Sequence, residues 1–169
     1  MIKYTFKLTK HKDIFSVRSP QFPNVVSYAS NEEAVLKKFF FDLDNELNCL
    51  INANKLIPAP VSNPQRKEKG DGSFALSLSA ECTVLLYNAM QRKGIDRKQL
   101  ATLLALTEKD VKPEDWQSDK LKNIKPSTSP KYKKVQRLLD VCLASTINEM
   151  TEAFRVIGCY LNIKVENFK

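Results

Sequence analysis

Ile2-Lys-Tyr-Thr-Phe-Lys-Leu-Thr9 is the stretch whose reading decides the fold of the first half of this chain. Apolar Ile2, Tyr4, Phe6 and Leu8 alternate with polar Lys3, Thr5, Lys7 and Thr9, the period of a strand with one face on a core and one in water. Residues 10–13 read as a polar turn containing His11, and Ile14-Phe-Ser-Val-Arg18 resumes strand character, so a hairpin is expected. Pro20 and Pro23 interrupt the chain before a third short strand over 25–29. Ser30-Asn-Glu-Glu33 has the pattern of a capping box, with the Ser hydroxyl as cap. Leu36, Phe39, Phe40, Leu43, Leu47, Leu50 and Ile51 then come at helical spacing.

Leu56-Ile-Pro-Ala-Pro60 leads into a polar, basic linker expected over about 61–72. Phe74, Leu76 and Leu78 alternate again, which predicts a fourth strand at about 73–79. Everything after it reads as helix. Residues 80–93 carry Val84, Leu85, Leu86 and Met90, with Gly94 as the helix's C-terminal stop. Asp96-Arg-Lys-Gln99 and Thr146-Ile-Asn-Glu149 are two further capping boxes, and Ser129-Pro130 is a helix start. The expected class is α+β: a βββαβ domain over 1–79 and an all-α domain over 80–169.

Composition removes several functions. Of 169 residues, four are Gly and one is His, so no Gly-rich phosphate loop and little histidine-based metal or triad chemistry is available. No catalytic residue, metal site or cofactor is therefore expected. The net charge of +8 is concentrated: residues 1–70 carry 11 basic and 7 acidic side chains, and residues 111–134 carry seven Lys and three acids. A concentrated basic segment attracts polyanions. Cys49, Cys82, Cys142 and Cys159 form no CxxC pair and are expected as buried free thiols. No apolar run is long enough to span a membrane, so a cytoplasmic location is expected.

Asp96-Arg-Lys-Gln-Leu-Ala-Thr-Leu-Leu-Ala-Leu-Thr107 has the pattern of a helix-turn-helix entry. Leu100, Ala101 and Leu104 share a face, and Ala101 leaves room for a second helix to cross closely. Leu106 closes the turn and Thr107 caps the next helix.

Over nearly its full length the chain resembles the HicB antitoxins. The resemblance is carried by residues 2–8, Pro20 to Pro23, Asn31-Glu-Glu-Ala34 and Leu56-Ile-Pro-Ala-Pro60. It continues through residues 74–79, Val84-Leu-Leu-Tyr-Asn-Ala89, Gln99-Leu-Ala101, Val135-Gln-Arg-Leu-Leu-Asp140 and the Gly158 region. It implies a partial RNase H-like N-terminal domain that binds and blocks a HicA-like mRNA-cleaving toxin. It also implies a helix-turn-helix domain that dimerises and represses the operon by binding operator DNA. It does not imply nuclease activity, which would need carboxylates clustered around two metal ions. Strands 2–8 and 14–18 contain no Asp or Glu, and Asp13, Asp42, Asp44 and Glu46 read as turn and solvated-helix residues.

One departure from the family stands out. An insertion over about 112–129 falls inside the expected reading helix. Either residues 107–112 form a stub and 129–140 supply the reading helix, or the motif no longer grips DNA in the usual way. On the first reading the DNA-binding residues are Gln99, Thr107, Lys109, Lys131, Tyr132, Lys133, Lys134, Gln136 and Arg137. The lysines would neutralise phosphates, while Gln136 and Arg137 address base edges. Trp116 would anchor the insertion on the body. Ile147, Met150, Phe154 and Ile157 offer an apolar stripe that serves either a homodimer or higher oligomer or the core of the single chain. The alternative function is a stand-alone helix-turn-helix regulator without a toxin partner.

Overall fold

The structure, a computed structural model, describes residues 2–60, 70–106 and 130–162. It is α+β: a four-stranded antiparallel sheet near the N-terminus, followed by helices. The chain divides into two compact units, Met1–Glu81 and Cys82–Lys169, and the break falls inside one helix.

In the first unit, strands β1 (Lys3–His11), β2 (Ile14–Arg18), β3 (Val26–Ala29) and β4 (Asp71–Ala75) lie in the order β3-β2-β1-β4. The expected hairpin is present. His11 pairs with Ile14, which makes it the last residue of β1 rather than a turn residue, and Lys12 turns the corner at φ 53°. Beyond Arg18 the partner of β1 is a side chain: Gln21 Oε1 accepts from the Thr5 backbone N–H at 3.2 Å. Pro20 cannot extend the ladder, and the Gln21 amide takes over that pairing.

Helix α1 (Glu32–Asn52) covers one face of this sheet. Its buried residues are Val35, Phe39, Leu43, Leu47 and Ile51, spaced one helical turn apart along a single stripe. Phe39, Phe6 and Phe74 form one ring cluster, with Tyr4 against Phe22 at 4.9 Å between centroids. The cap sits one residue later than expected, because the Asn31 side chain, not Ser30, accepts from the Ala34 N–H at 2.8 Å. Phe41 points outward, 64% exposed, whereas Phe40 is only partly exposed and packs its ring against Phe74 at 5.5 Å between centroids.

β3 runs in the same direction as β1, and β4 runs against it. The chain must therefore re-enter the sheet at the end where β3 finished. A 21-residue helix carries it about 30 Å away, and the segment after α1 brings it back. The Tyr4 hydroxyl, near the start of β1, donates to the Pro58 carbonyl at 3.1 Å and ties down the start of that return.

The fourth strand both starts and ends earlier than residues 73–79 predict: Asp71 and Gly72, expected in the linker, already belong to it. Ser77 Oγ accepts from the Ala80 N–H at 3.2 Å, so Ser77 starts a helix and Leu78 becomes its exposed first residue. Local capping here overrides the alternation of Leu76 and Leu78. Most of the expected linker, residues 61–69, lies outside the described residues.

The second unit contains most of α2 (Leu78–Lys93), then α3 (Arg97–Leu106), α4 (Pro130–Leu138) and α5 (Ile147–Val156). Gly94 at φ 64° and Gly158 at φ 66° end α2 and α5. In both cases the next residue's N–H reaches back five positions, Ile95 to Met90 and Cys159 to Phe154. The two capping boxes at Asp96/Gln99 and Thr146/Glu149 form as expected. The proposed dimer stripe is spent inside the unit: Met150, Phe154 and Ile157 are buried, and of that set Ile147 alone is exposed.

Candidate nucleic-acid interface

Helix α4 reads Pro-Lys-Tyr-Lys-Lys-Val-Gln-Arg-Leu, four cations and no acid in nine residues. Three neighbours fix it. It packs on α3, where Val135 and Leu138 of α4 and Leu100 and Leu104 of α3 are all fully buried. Thr83 of α2, also fully buried, donates its hydroxyl to the Leu138 carbonyl at 3.1 Å. That bond satisfies a C-terminal carbonyl that has no partner within its own helix. The third neighbour is α5, which meets the cations.

With Val135, Leu138 and Leu139 turned inward, Lys133, Gln136 and Arg137 stand exposed, at the i, i+3, i+4 spacing of one helix face. Tyr132 and Lys134 are half-buried at its margins. Lys131 lies in the first turn of α4. Lys134 Nζ pairs with Glu152 Oε2 of α5 at 2.6 Å. Arg137 Nη2 pairs with Glu149 Oε1. Lys133, Lys134, Arg137 and Glu149 line a hollow of about 360 Å³.

Glu149 has a second task. As the third residue of α5 its Oε2 accepts from the Thr146 backbone N–H and from the Thr146 hydroxyl, both at 3.0 Å. The backbone N–H is the chief reason its carboxyl is held below the usual carboxylate range; burial opposes it, and the Thr146 hydroxyl and the charges of Arg137 and Lys134 reinforce it.

The remaining expected DNA contacts are placed differently. Gln99 is exposed, but its side chain accepts from the Asp96 N–H at 2.7 Å as half of a capping box. Thr107, Lys109, Trp116 and the insertion at 112–129 lie outside the described residues. Among the described residues, α4 therefore gathers Tyr132, Lys133, Lys134, Gln136 and Arg137 on one element, and Gln99 stands apart on α3.

In the first unit, two of the acids read as solvated are half-buried. Asp42 Oδ2 accepts from the fully buried Ser27 hydroxyl at 2.6 Å, fastening α1 to β3. Burial raises the Asp44 carboxyl above its ordinary range. No group of three or more His, Cys, Asp or Glu among the described residues could hold a metal ion. Of the cysteines Cys82 is buried, whereas Cys49 and Cys142 are exposed and Cys159 is intermediate. Cys49 falls between Leu47 and Ile51, off the buried stripe of α1, which is why an apolar neighbourhood in sequence misplaces it. The sheet face away from α1 carries Lys3, Lys7 and Arg18 among Thr5, Thr9, Ser16 and Tyr28. No helix among the described residues is long and apolar enough to cross a membrane.

Sequence reasoning singled out the cations of α4 and missed their partners. Glu149 was legible as a cap, but its bond to Arg137 joins residues twelve apart on different helices. Glu152 and Thr83 gave no signal as neighbours of α4. No protein-family model matches this chain, and no curated protein matches it.

Proposed function

We propose that this chain is a HicB-like antitoxin and autorepressor. The first unit, a partial RNase H-like domain on this reading, binds and masks a HicA-like mRNA-cleaving toxin. The helical unit contains a helix-turn-helix in which α3 is the supporting helix and α4 the reading helix. It binds operator DNA as a homodimer, in the cytoplasm, and the protein is no enzyme.

The observation that carries the DNA-binding half is α4 itself. Four cations without an acid sit on a helix whose apolar side is locked onto α3, so Lys133, Gln136 and Arg137 face outward together. Such a face meets the electrostatic and base-reading demands of a major groove. The toxin-binding half is supported by the βββαβ element order and by the family resemblance of residues 1–60.

Titration of the full chain with a duplex from upstream of its own reading frame, at two salt concentrations, tests the DNA half. Lys133→Ala should weaken binding to all duplexes alike and reduce the salt slope by about one unit. Arg137→Ala should cost roughly 1–3 kcal/mol at the operator and relax preference at one base position. Deleting residues 114–128 should leave binding intact, since the insertion then only spaces two helical pieces. Loss of binding on that deletion, in a protein that stays folded with Arg137→Ala silent, overturns the assignment. For the toxin half, a short basic reading frame beside the gene should encode a protein that co-purifies with the chain. Operator binding without such a partner would identify a stand-alone regulator.

A further inference from the structure

We propose that Glu149 is a positioning residue for sequence reading, holding the Arg137 guanidinium in one orientation on the outer face of α4. This rests on α4 being the reading helix.

A free arginine side chain samples many rotamers, and ordering it on binding costs conformational entropy. A base-reading arginine gains if that ordering is done before DNA arrives, because only the surplus appears as affinity. Here Arg137 is ordered by a carboxylate that is itself immobilised. Glu149 Oε1 meets Arg137 Nη2, while Oε2 is anchored by the backbone and hydroxyl of Thr146. Swinging Glu149 away from Arg137 would break the cap of α5. The carboxylate therefore acts as a fixed bracket rather than a competitor that DNA displaces.

A guanidinium has five N–H donors, and a bracket bonded through one amino group leaves others to address O6 and N7 of a guanine. The hollow of about 360 Å³ beside Arg137 has Lys133 and Lys134 on its walls. Lys134 differs from Arg137 in being half-buried, and its pair with Glu152 clamps α4 to α5 rather than aiming a donor outward.

The capping box makes the test clean. Glutamine also serves at the third position of such a box, so Glu149→Gln keeps the start of α5 and removes the carboxylate charge from Arg137. The readout is the preference of the full chain for the duplex upstream of its own reading frame over a scrambled duplex of equal length. Glu149→Gln should lower that preference about tenfold, with the scrambled duplex bound at least as tightly and the thermal midpoint little changed. In the Arg137→Ala background the same substitution should have no further effect on preference. Unchanged preference in Glu149→Gln, or equal weakening on both duplexes, overturns the proposal while leaving α4 as the reading helix. A wild-type chain with no preference at all overturns that reading and the proposal together.

Discussion

The ring of Phe6 occupies the place where a side chain on Gly72 would stand. The two are cross-strand partners on β1 and β4, and a β-carbon built on Gly72 would overlap the Cζ and Cε atoms of that ring. The ring cannot drift far, since it packs against Phe39 at 6.0 Å and Phe74 at 6.4 Å between centroids. An aromatic ring laid over a strand glycine shields backbone that a bare glycine would leave to water. Gly72→Ala should therefore destabilise the sheet by about 1–3 kcal/mol, the usual result of overfilling a packed site. Chemical denaturation of the variant measures it; an unchanged midpoint would mean that the Phe6 ring moves freely.

Tyr4 makes the first unit sensitive to alkali. It is buried, and burial pushes its phenol up to about 12 from the ordinary 10. A group whose folded pKa is raised contributes stability that is complete below pH 10 and is lost as pH rises through about 12. Burial raises the Tyr87 phenol of the second unit as well, against a smaller opposing pull from Arg97, so that unit has an alkaline loss of its own. Tyr4→Phe should lose about 1 kcal/mol at neutral pH through its missing bond to Pro58. It should then lose less than wild type between about pH 9 and pH 11, the range that brackets the unfolded phenol. Urea midpoints at those two values decide it, and identical falls in both proteins would exclude Tyr4 as a source.

Thr83→Val isolates the bond that fixes the end of α4. Valine copies the shape of threonine but cannot donate to the Leu138 carbonyl, which sits in the interior of the unit. Leaving such an acceptor unsatisfied costs about 1–3 kcal/mol. The expected loss of stability in a denaturant titration should be accompanied by a smaller loss in Thr83→Ser, which keeps the hydroxyl. Equal losses in the two variants would assign the effect to packing instead.

What was legible in the sequence was what is decided locally. The alternation over residues 2–9, the turn before Ile14 and the capping boxes at Asp96 and Thr146 depend on neighbours within a few positions. The end of the fourth strand was not legible, because Leu76 and Leu78 continue a strand pattern that the Ser77 cap interrupts. Val35 was passed over for Leu36 and Phe40, two positions that the sheet leaves partly outside. The candidate interface divides in the same way. The run of cations was visible in α4, but which of them are bracketed by Glu149 and Glu152 depends on the approach of α5, which no local pattern encodes.

The apolar stripe of α5 gives the last prediction, because two roles for it differ in how they depend on concentration. Phe154, Met150 and Ala153 are buried within the single chain, whereas Ile147 on the same helix is exposed. Removing a buried phenylalanine side chain costs about 3–5 kcal/mol, a large share of the roughly 5–15 kcal/mol that holds a domain together. Phe154→Ala should therefore lower the thermal midpoint by the same amount at every protein concentration. A residue that held two subunits together would instead make the midpoint shift with concentration, since association stabilises by mass action. Ile147→Asn, at an exposed position, should change stability by no more than about 0.5 kcal/mol. Melting both variants over a wide range of concentrations separates the roles. A Phe154→Ala protein that melts like wild type but sediments as a smaller species would show that the stripe serves an interface and not the interior.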